Sequence, residues 1–404
     1  MNVEQNIKKQ KILGMKGTIL FITLMNMFIP LSIDLYLPAL PTMSSYFGVS
    51  NALINLTLVS FYLFFAIGTL FWGPISDKYG RKPVLVVGSV LYVAASFVCA
   101  ISFSVYMLIA ARILHGIAAG AVIAVSMALI KDCFAGKQRE TILAIVQSVG
   151  GVAPMIAPVL GAILLQFTDW RGSFVVLTLI GALCLLLSLA YQETLPEEER
   201  YHGTIVGSLG RLVTVGKNVG FLVPCLIFSL YSLAFMGYIA MNSYIYIDYF
   251  GLDEQTYSYF YAVNAALSTI GPMLYVKFFL NINKRKFASI CFIGYTLCGA
   301  LMLLVGHISP VLFWIGFAPF SLLGTISRPF STNILLEQQS GDTGSASSLI
   351  NGVTTLFGSA GMMCASVWSD SIFGLSFMIF ISGLISIIGW MLLMRSKVPC
   401  HGVK

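Results

Sequence analysis

Between two long apolar runs the sequence reads Gly73-Pro74-Ile75-Ser76-Asp77-Lys78-Tyr79-Gly80-Arg81-Lys82-Pro83. The flanking runs, residues 51–73 and 84–102, are each long enough for a helix to cross the roughly 30 Å hydrocarbon core of a bilayer. Glycine and proline shape tight turns, and Arg and Lys anchor helix ends at a membrane surface. This stretch therefore predicts two membrane-spanning helices joined by a short basic loop.

The composition of the whole chain supports a membrane protein. Of the 404 residues, 58% are hydrophobic and only 10% are charged, whereas a soluble globular protein carries about 25% charged residues. A water-soluble core cannot bury so much apolar surface, because polar residues must still cover the outside. The composition excludes a soluble enzyme, a nucleic-acid-binding domain, a disulfide scaffold and a disordered chain, and it makes the lipid bilayer the main partner.

The apolar runs are expected to be helices, because strand-type alternation is absent and a helix satisfies its own backbone hydrogen bonds in lipid. The sequence predicts an all-α integral membrane protein with twelve such spans. Spans 1 to 12 cover about 17–38, 51–73, 84–102, 106–130, 140–166, 171–191, 218–242, 256–280, 287–307, 310–335, 344–368 and 371–394.

Lys and Arg concentrate in alternate loops. They precede span 1, lie in the loops after spans 2, 4, 6 and 8, and follow span 12, whereas the loops 38–50, 102–106, 242–256 and 307–310 contain none. Because Lys and Arg are retained on the cytoplasmic side, we expect an even number of spans with both termini in the cytoplasm.

The longest polar stretch lies midway along the chain, at 192–217. It predicts an N-terminal six-helix bundle (1–191), a central cytoplasmic linker (192–217) and a C-terminal six-helix bundle (218–404). Two bundles suit a transporter that opens to each side of the membrane in turn, and we expect it to act as a monomer. The alternative is that the polar stretch is an ordinary loop.

Two charged residues lie well inside predicted spans, where a charge costs about 2.5–3.5 kcal/mol on insertion scales. Asp34 is placed towards the outer end of span 1, and Arg112 lies in the outer half of span 4. Burial disfavours the charged form of a carboxyl group, so Asp34 is a candidate proton carrier that Arg112 modulates. His115, one turn from Arg112, is a weaker candidate. The alternatives are a structural ion pair or an Asp34 that lies close enough to the interface to stay hydrated and, for His115, a hydrogen-bonded residue of helix packing.

Aromatic, amide and basic side chains on several spans are candidates for lining a substrate cavity. For each of them, ordinary packing or a position in the interfacial belt is the alternative. The candidates are Asn26, Tyr36, Tyr62, Phe235, Tyr238, Asn242, Asn264 and Arg328.

Cofactor and enzyme chemistry are not indicated. The eight cysteines are scattered without C-x-x-C spacing, and the sequence lacks H-E-x-x-H, G-x-S-G and G-x-x-x-x-G-K-[ST] motifs. We therefore expect no metal, no cofactor, no disulfide and no nucleotide-driven pump.

The loop at 73–83 resembles motif A of the major facilitator superfamily, G-x-x-x-D-[RK]-x-G-R-[RK], which implies a gate at the inner end of the bundle. Arg112-Ile-Leu-His115-Gly116 is similar to the proton-coupling motif R-x-x-Q-G, with His in place of Gln. In span 5, Gly151 and the segment Ala157-Pro158-Val-Leu-Gly161 resemble the antiporter motif, whose core is G-P-x-x-G. The motif A positions are Gly73, Asp77, Lys78, Gly80, Arg81 and Lys82.

A narrower resemblance comes from Asp34-Leu-Tyr36-Leu-Pro38-Ala-Leu-Pro41, which is similar to the D-x-Y-L-P-x-x-P signature of the Bcr/CflA drug-resistance exporters. Lys131-Asp132, Trp170-Arg171 and Glu193-Thr194-Leu195-Pro196 also resemble landmarks of that group, although the likeness becomes thin after about residue 200. The resemblance implies proton-coupled efflux of small amphipathic drugs by alternating access in a bacterial inner membrane. The alternative is a dedicated exporter or importer of a single metabolite such as an amino acid, siderophore or sugar.

Overall fold

A computed structural model describes residues 10–134, 136–200, 214–279, 282–338, 343–401 and 403. Regular secondary structure in these residues is helical throughout, which confirms the predicted fold class. The N-terminal lysines Lys8 and Lys9 and residues 201–213 of the predicted linker lie outside the described residues.

Each of the twelve predicted spans is helical in the described part of the chain. The spans run Gly14–Phe47, Asn51–Tyr79, Arg81–Ala100, Val105–Cys133, Gly136–Leu165, Arg171–Ala190, Val219–Tyr249, Glu254–Leu274, Lys284–Val305, Pro310–Glu337, Thr343–Val367 and Ser371–Arg395. By length and hydropathy, ten of the described helices could cross a membrane. The other two are span 5, whose apolar part is the shorter stretch Val149–Leu165, and span 8, which carries several polar side chains.

Span 1 differs from its prediction. It continues to Phe47 instead of ending near residue 38, in consecutive segments Gly14–Asn26, Phe28–Asp34, Leu37–Ala39 and Leu40–Phe47. Pro38 and Pro41 stand in the first turns of the last two segments, where a missing N–H costs nothing. The prolines thus restart the helix rather than end it. Asp34 consequently lies in the middle of span 1 and not towards its outer end.

The chain forms two compact units, Met1–Ser208 and Leu209–Lys404. The same helix pairs pack within each unit. In the first unit, spans 1 and 5, 2 and 4, and 3 and 6 are neighbours, and in the second unit spans 7 and 11, 8 and 10, and 9 and 12 are neighbours. This repetition is the arrangement expected for two structurally related six-helix bundles.

Small residues let the spans of the first unit approach closely. A side chain added at Gly116 of span 4 would collide with the Phe61 carbonyl oxygen of span 2. Likewise, a side chain at Gly161 of span 5 would collide with the carbonyl oxygen of Leu35, next to Asp34. Close approach through glycine is typical of helix packing in membranes. The antiporter-like glycine therefore sets the spacing between span 5 and the break in span 1.

We expect Gly161→Ala to destabilise the protein by about 1–3 kcal/mol, because the new methyl group has no room beside the Leu35 carbonyl. The matched control is Gly150→Ala in the same helix, where an added Cβ meets no atom within 4 Å. The control should be neutral or slightly stabilising, because alanine favours helix over glycine. The thermal unfolding midpoint in detergent measures both effects, and equal midpoints for the two variants would contradict this account of the packing.

Candidate functional site

Arg112 lies at the centre of a buried cluster in the first unit. It is fully buried, and its guanidinium group reaches three spans. Nη2 donates to the Ser32 carbonyl oxygen of span 1 at 2.9 Å, and Nε donates to the Thr57 carbonyl oxygen of span 2 at 3.2 Å. Nη1 donates to Nδ1 of His115 in span 4 at 3.0 Å. Arg112 thereby ties spans 1, 2 and 4 together.

Aromatic rings surround the same guanidinium group. Its central carbon lies 4.1 Å from the ring centroid of Phe61 and 4.9 Å from that of Tyr36. Cation–π contacts of this kind contribute up to about 2 kcal/mol when the site is desolvated. The Tyr36 hydroxyl lies 3.2 Å from Thr57 Oγ1. Tyr36, predicted as a substrate-cavity residue, is thus placed in the packing around Arg112.

His115 is fully buried between the rings of Tyr92 and Phe61, with centroids 4.2 and 5.3 Å away. Because Arg112 can only donate, Nδ1 accepts, and the neutral ring carries its proton on Nε2. Nε2 has no hydrogen-bond partner among the described residues. The structure thus brings the predicted pair Arg112 and His115 into direct contact and leaves a buried N–H group beside them.

Asp34 ends the short helical segment that begins at Phe28, and it is 4% exposed. Two residues earlier, Ser32 provides the carbonyl that accepts from Arg112, and its hydroxyl lies 2.7 Å from the Tyr92 hydroxyl. Two residues later, Tyr36 covers the Arg112 guanidinium. The carboxyl group therefore sits on a short segment whose position is fixed by Arg112 on both sides.

Asn26, predicted as a substrate-cavity residue, is held against span 4. Its side-chain amide donates to Ser126 Oγ at 2.5 Å and to the Ile22 carbonyl oxygen at 2.8 Å. The helix is interrupted at Met27, between Asn26 and Asp34.

Arg81 of motif A is the second buried cation of the first unit. Its guanidinium binds Asp77 at 2.5 Å, Asp132 at 2.9 Å and Ser76 Oγ at 2.7 Å. Gly80, which precedes it, has φ +102°, a left-handed conformation that favours glycine. The predicted loop at 73–83 is therefore mostly helical: residues 73–79 belong to span 2, Pro74 lies inside that helix, and Gly80 alone separates span 2 from span 3. The ion pairs of Arg81 hold this turn and tie it to the end of span 4.

Glu193 lies just beyond the end of span 6 and caps this turn. Its carboxylate accepts from the backbone N–H groups of Arg81 at 3.1 Å and Lys82 at 3.0 Å, the first residues of span 3. It also accepts from the backbone N–H groups of Thr194 and Leu195. In return, Lys82 Nζ donates to the Leu189 carbonyl oxygen near the end of span 6 at 2.9 Å. The carboxylate after span 6 thus binds free N–H groups at the start of span 3, and the lysine at the start of span 3 binds a free carbonyl group near the end of span 6. Each charge has the sign that the helix dipole favours at that end.

The remaining motif A residues have simpler surroundings. Lys78 lies over the ring of Tyr79, with Nζ 5.8 Å from its centroid. An added side chain at Gly73 would meet no atom within 4 Å. The other two antiporter-motif residues, Gly151 and Pro158, lie in span 5 on the same helix as Gly161.

Two cavity candidates of the second unit, Tyr238 of span 7 and Asn264 of span 8, contact span 10, and a third, Asn242, lies one turn from Tyr238. Tyr238 is fully buried and stacks on Phe317, with centroids 3.6 Å apart. The Asn242 amide donates to the Tyr238 carbonyl oxygen at 2.8 Å, and the Asn264 amide donates to Ser321 Oγ at 3.4 Å. Their carbonyl oxygens, Oδ1 of Asn242 and of Asn264, are buried with no hydrogen-bond partner among the described residues. Two buried acceptors are thus available to a donor group.

The other candidates are more dispersed. Phe235 stacks on Tyr231, with centroids 5.4 Å apart. Tyr62 is half-buried in span 2, and Arg328 is exposed in span 10. Span 7 ends in a π-helical turn, Tyr244–Tyr249, a local irregularity that is frequent at functional sites.

Several residues that hold the two buried cations in place were not identified from the sequence as site residues. Glu193 and Asp132 entered only as landmarks of a resemblance, with no role in the gate. Ser32 and Thr57 act through backbone carbonyl oxygens, which no side-chain pattern identifies. The signal for Glu193 was its position at the end of a span, where an acid lies close to the free N–H groups of an antiparallel neighbour.

Similar proteins give a consistent picture. Residues 22–362 match the family model of the Major Facilitator Superfamily. The chain is 30% identical over 335 residues to "Uncharacterized MFS-type transporter YdgK" of Bacillus subtilis (82% of this chain, 83% of that protein). It is 26% identical over 401 residues to a "Bicyclomycin resistance protein homolog" of Haemophilus influenzae (96% and 99%). It is 30% identical over 245 residues to "Multidrug resistance protein MdtL" of Klebsiella pneumoniae (59% and 60%).

The fold also matches a solved structure. A crystal structure of a D-xylose-proton symporter superposes with a TM-score of 0.74 at 16% identity, covering 96% of this chain and 98% of that one. At this identity the likeness concerns the fold alone.

We expect Arg112→Lys to destabilise the protein by about 1–3 kcal/mol, because an ammonium group cannot replace three divergent N–H donors and leaves buried acceptors unpaired. Arg285→Lys is the control, since the Arg285 side chain is exposed at the start of span 9. Thermal unfolding of the purified variants measures the difference. An unchanged midpoint for Arg112→Lys would contradict the role of the guanidinium as a three-way tie.

Glu193→Gln should loosen the start of the linker. In the wild type a carboxylate oxygen accepts from a backbone N–H group, whereas the glutamine amide would place its own N–H group against that donor. We expect a cost of about 1–3 kcal/mol and faster tryptic cleavage at Arg200. Glu198→Gln is the control, because Glu198 is an exposed acid of the same segment. Limited proteolysis followed by mass spectrometry compares the two variants. Equal cleavage rates would show that Glu193 does not hold this segment.

Proposed function

The chain belongs to the Major Facilitator Superfamily, and on that premise we propose that it exports small amphipathic drugs in exchange for protons. It is a multi-pass membrane protein of a transporter family and not an enzyme. The named relatives support drug export, since one is a bicyclomycin resistance protein homolog and another a multidrug resistance protein. The proposed location is the bacterial inner membrane, with both termini in the cytoplasm.

The observation that carries the proton coupling is the burial of Asp34 on the segment that Arg112 holds. A proton that binds Asp34 removes a negative charge from the surroundings of a buried guanidinium group, where electrostatic interactions are strong. Because Ser32 and Tyr36 flank Asp34 and both contact Arg112, a change in that charge is transmitted to spans 2 and 4 through the same guanidinium. Protonation of one group can thus bias the packing of three helices. No cofactor other than the proton is required.

The motif A turn is proposed to act as a gate. Arg81, Asp77 and Asp132 form an ion-paired cluster that Glu193 caps. The Arg81–Asp132 pair is the buried part of this cluster, with 7% and 10% of the two side chains exposed, and removing one partner of a buried ion pair costs about 3–5 kcal/mol. The cluster therefore favours the arrangement in which spans 2, 3, 4 and 6 meet at this end of the unit. In an alternating-access cycle this preference stabilises one of the two states.

The substrate is proposed to be a small amphipathic molecule. Aromatic surface around Tyr238, Phe317 and Phe235 tolerates varied apolar shapes, and the buried oxygens of Asn242 and Asn264 accept hydrogen bonds from a polar group. A dedicated transporter of one metabolite is the alternative function on the same fold.

We expect purified protein in liposomes to release an imposed pH gradient when chloramphenicol or bicyclomycin is added, and Asp34→Asn to lower that proton flux to the level of protein-free liposomes. The reason is that an amide cannot take up and release a proton. Asp248→Asn is the control, because Asp248 is an exposed carboxyl group at the end of span 7. A pH-sensitive dye in the lumen gives the measurement.

Drug-driven proton flux that persists in Asp34→Asn would exclude this residue as the coupling group. A response to one metabolite, with no response to any drug of a diverse panel, would favour the dedicated transporter instead.

A further inference from the structure

An apolar groove runs along the second unit between spans 7 and 12, with one side chain from span 11. It has a volume of about 520 Å³. Ser396 is the one lining residue with a polar side chain, and the others present hydrocarbon. The lining residues are Val223, Leu226, Ile227, Leu230, Phe357, Ile385, Gly389, Leu392, Leu393, Ser396 and Val398.

The depth of the groove matches one leaflet of a bilayer. It begins at Ser396, just beyond the end of span 12, and reaches Ile385. Eleven residues of helix rise roughly 16 Å at 1.5 Å per residue, whereas half of the hydrocarbon core is about 15 Å. Gly389 keeps the groove open, because an added Cβ there would lie 3.3 Å from Ile227 on the opposite wall. An extended acyl chain of a phospholipid has the length and the chemistry that fit.

The mouth of the groove is basic. Arg395 and Lys397 flank the lining residue Ser396, and Lys217 precedes span 7 at the same end of the unit. All three side chains are exposed. Within the residues that the structure describes, none of the three forms an ion pair. Under the proposed orientation this end faces the cytoplasmic leaflet, where anionic lipids are attracted by juxtamembrane Lys and Arg.

We propose that the groove between spans 7 and 12 is a binding site for one anionic phospholipid of the cytoplasmic leaflet. One acyl chain lies along Ile227, Ile385 and Gly389, and the phosphate group contacts Arg395 and Lys397. The occupant is a lipid rather than a transported drug, because the walls offer no hydrogen-bonding group below the mouth. Such a site goes beyond the proposed drug export and does not depend on it.

The test is native mass spectrometry of the full chain. The protein is incubated in detergent with phosphatidylglycerol or with phosphatidylcholine of the same acyl chains, and the lipid that stays bound after release from detergent is measured. Wild type should retain phosphatidylglycerol about 30-fold more strongly, since each of the two basic groups Arg395 and Lys397 contributes about a fivefold gain near a membrane surface. The double variant Arg395→Gln/Lys397→Gln should reduce retention to the level of phosphatidylcholine. These side chains are exposed, so the exchange leaves the fold intact. The matched control is Arg285→Gln/Lys286→Gln, an exposed basic pair at the start of span 9.

A second variant tests the groove itself. Gly389→Leu fills it and should lower retention of both lipids, whereas Ile388→Phe, at an exposed position next to it outside the groove, should not. Equal retention of the two lipids by wild type would overturn the proposal, as would undiminished phosphatidylglycerol binding by the double variant. Displacement of the lipid by a drug such as chloramphenicol would also overturn it, because the groove would then be a substrate site.

Discussion

The first unit is organised around one constraint, which is that the buried guanidinium group of Arg112 must keep its N–H donors satisfied. A charge in this position is expensive in lipid and in protein alike. These donors bind two backbone carbonyl oxygens and a histidine nitrogen, and three aromatic rings cover the guanidinium group. Any displacement of span 1 or span 2 relative to span 4 breaks part of this set. The free energy of the first unit therefore depends, through this cation, on how the three helices are placed relative to one another.

The shape of span 1 follows from the same constraint. A continuous helix uses its carbonyl oxygens internally, but a span divided at Met27 and again at Leu35 and Tyr36 contains carbonyls that can turn to outside donors. The Ser32 oxygen accepts from Arg112, and Ser173 Oγ approaches the Leu35 oxygen at 3.4 Å. Gly161 lets span 5 come close to that second carbonyl. Three separate sequence motifs, in spans 1, 4 and 5, thus meet at one break in one helix.

Much of this architecture could be predicted from the sequence, because bilayer thickness fixes span length and the buried charges Asp34 and Arg112 are conspicuous in apolar runs. The contact between Arg112 and His115 also follows from their helical spacing. The end of span 1 could not be predicted correctly, since Pro38 and Pro41 suggest a stop, and only tertiary packing reveals that they begin new turns. The capping role of Glu193 depends on the antiparallel approach of spans 3 and 6, which are far apart in sequence. Hydropathy contains no information on that pairing.

Buried charge is distributed unevenly between the two units, and in the proposed mechanism this difference gives the two units different roles. Among the described residues, the buried Asp, Arg and His side chains, which are Asp34, Arg81, Arg112 and His115, all belong to the first unit. The buried polar groups of the second unit are hydroxyls and amides such as Asn242, Asn264 and Ser321. Titration and ion-pair exchange can therefore drive the first unit, whereas the second unit can discriminate ligands by neutral hydrogen bonds and aromatic stacking. A neutral site of that kind does not change its charge when a proton moves, so substrate recognition there need not vary with the protonation that powers the cycle. This separation allows one proton-driven mechanism to serve chemically varied substrates.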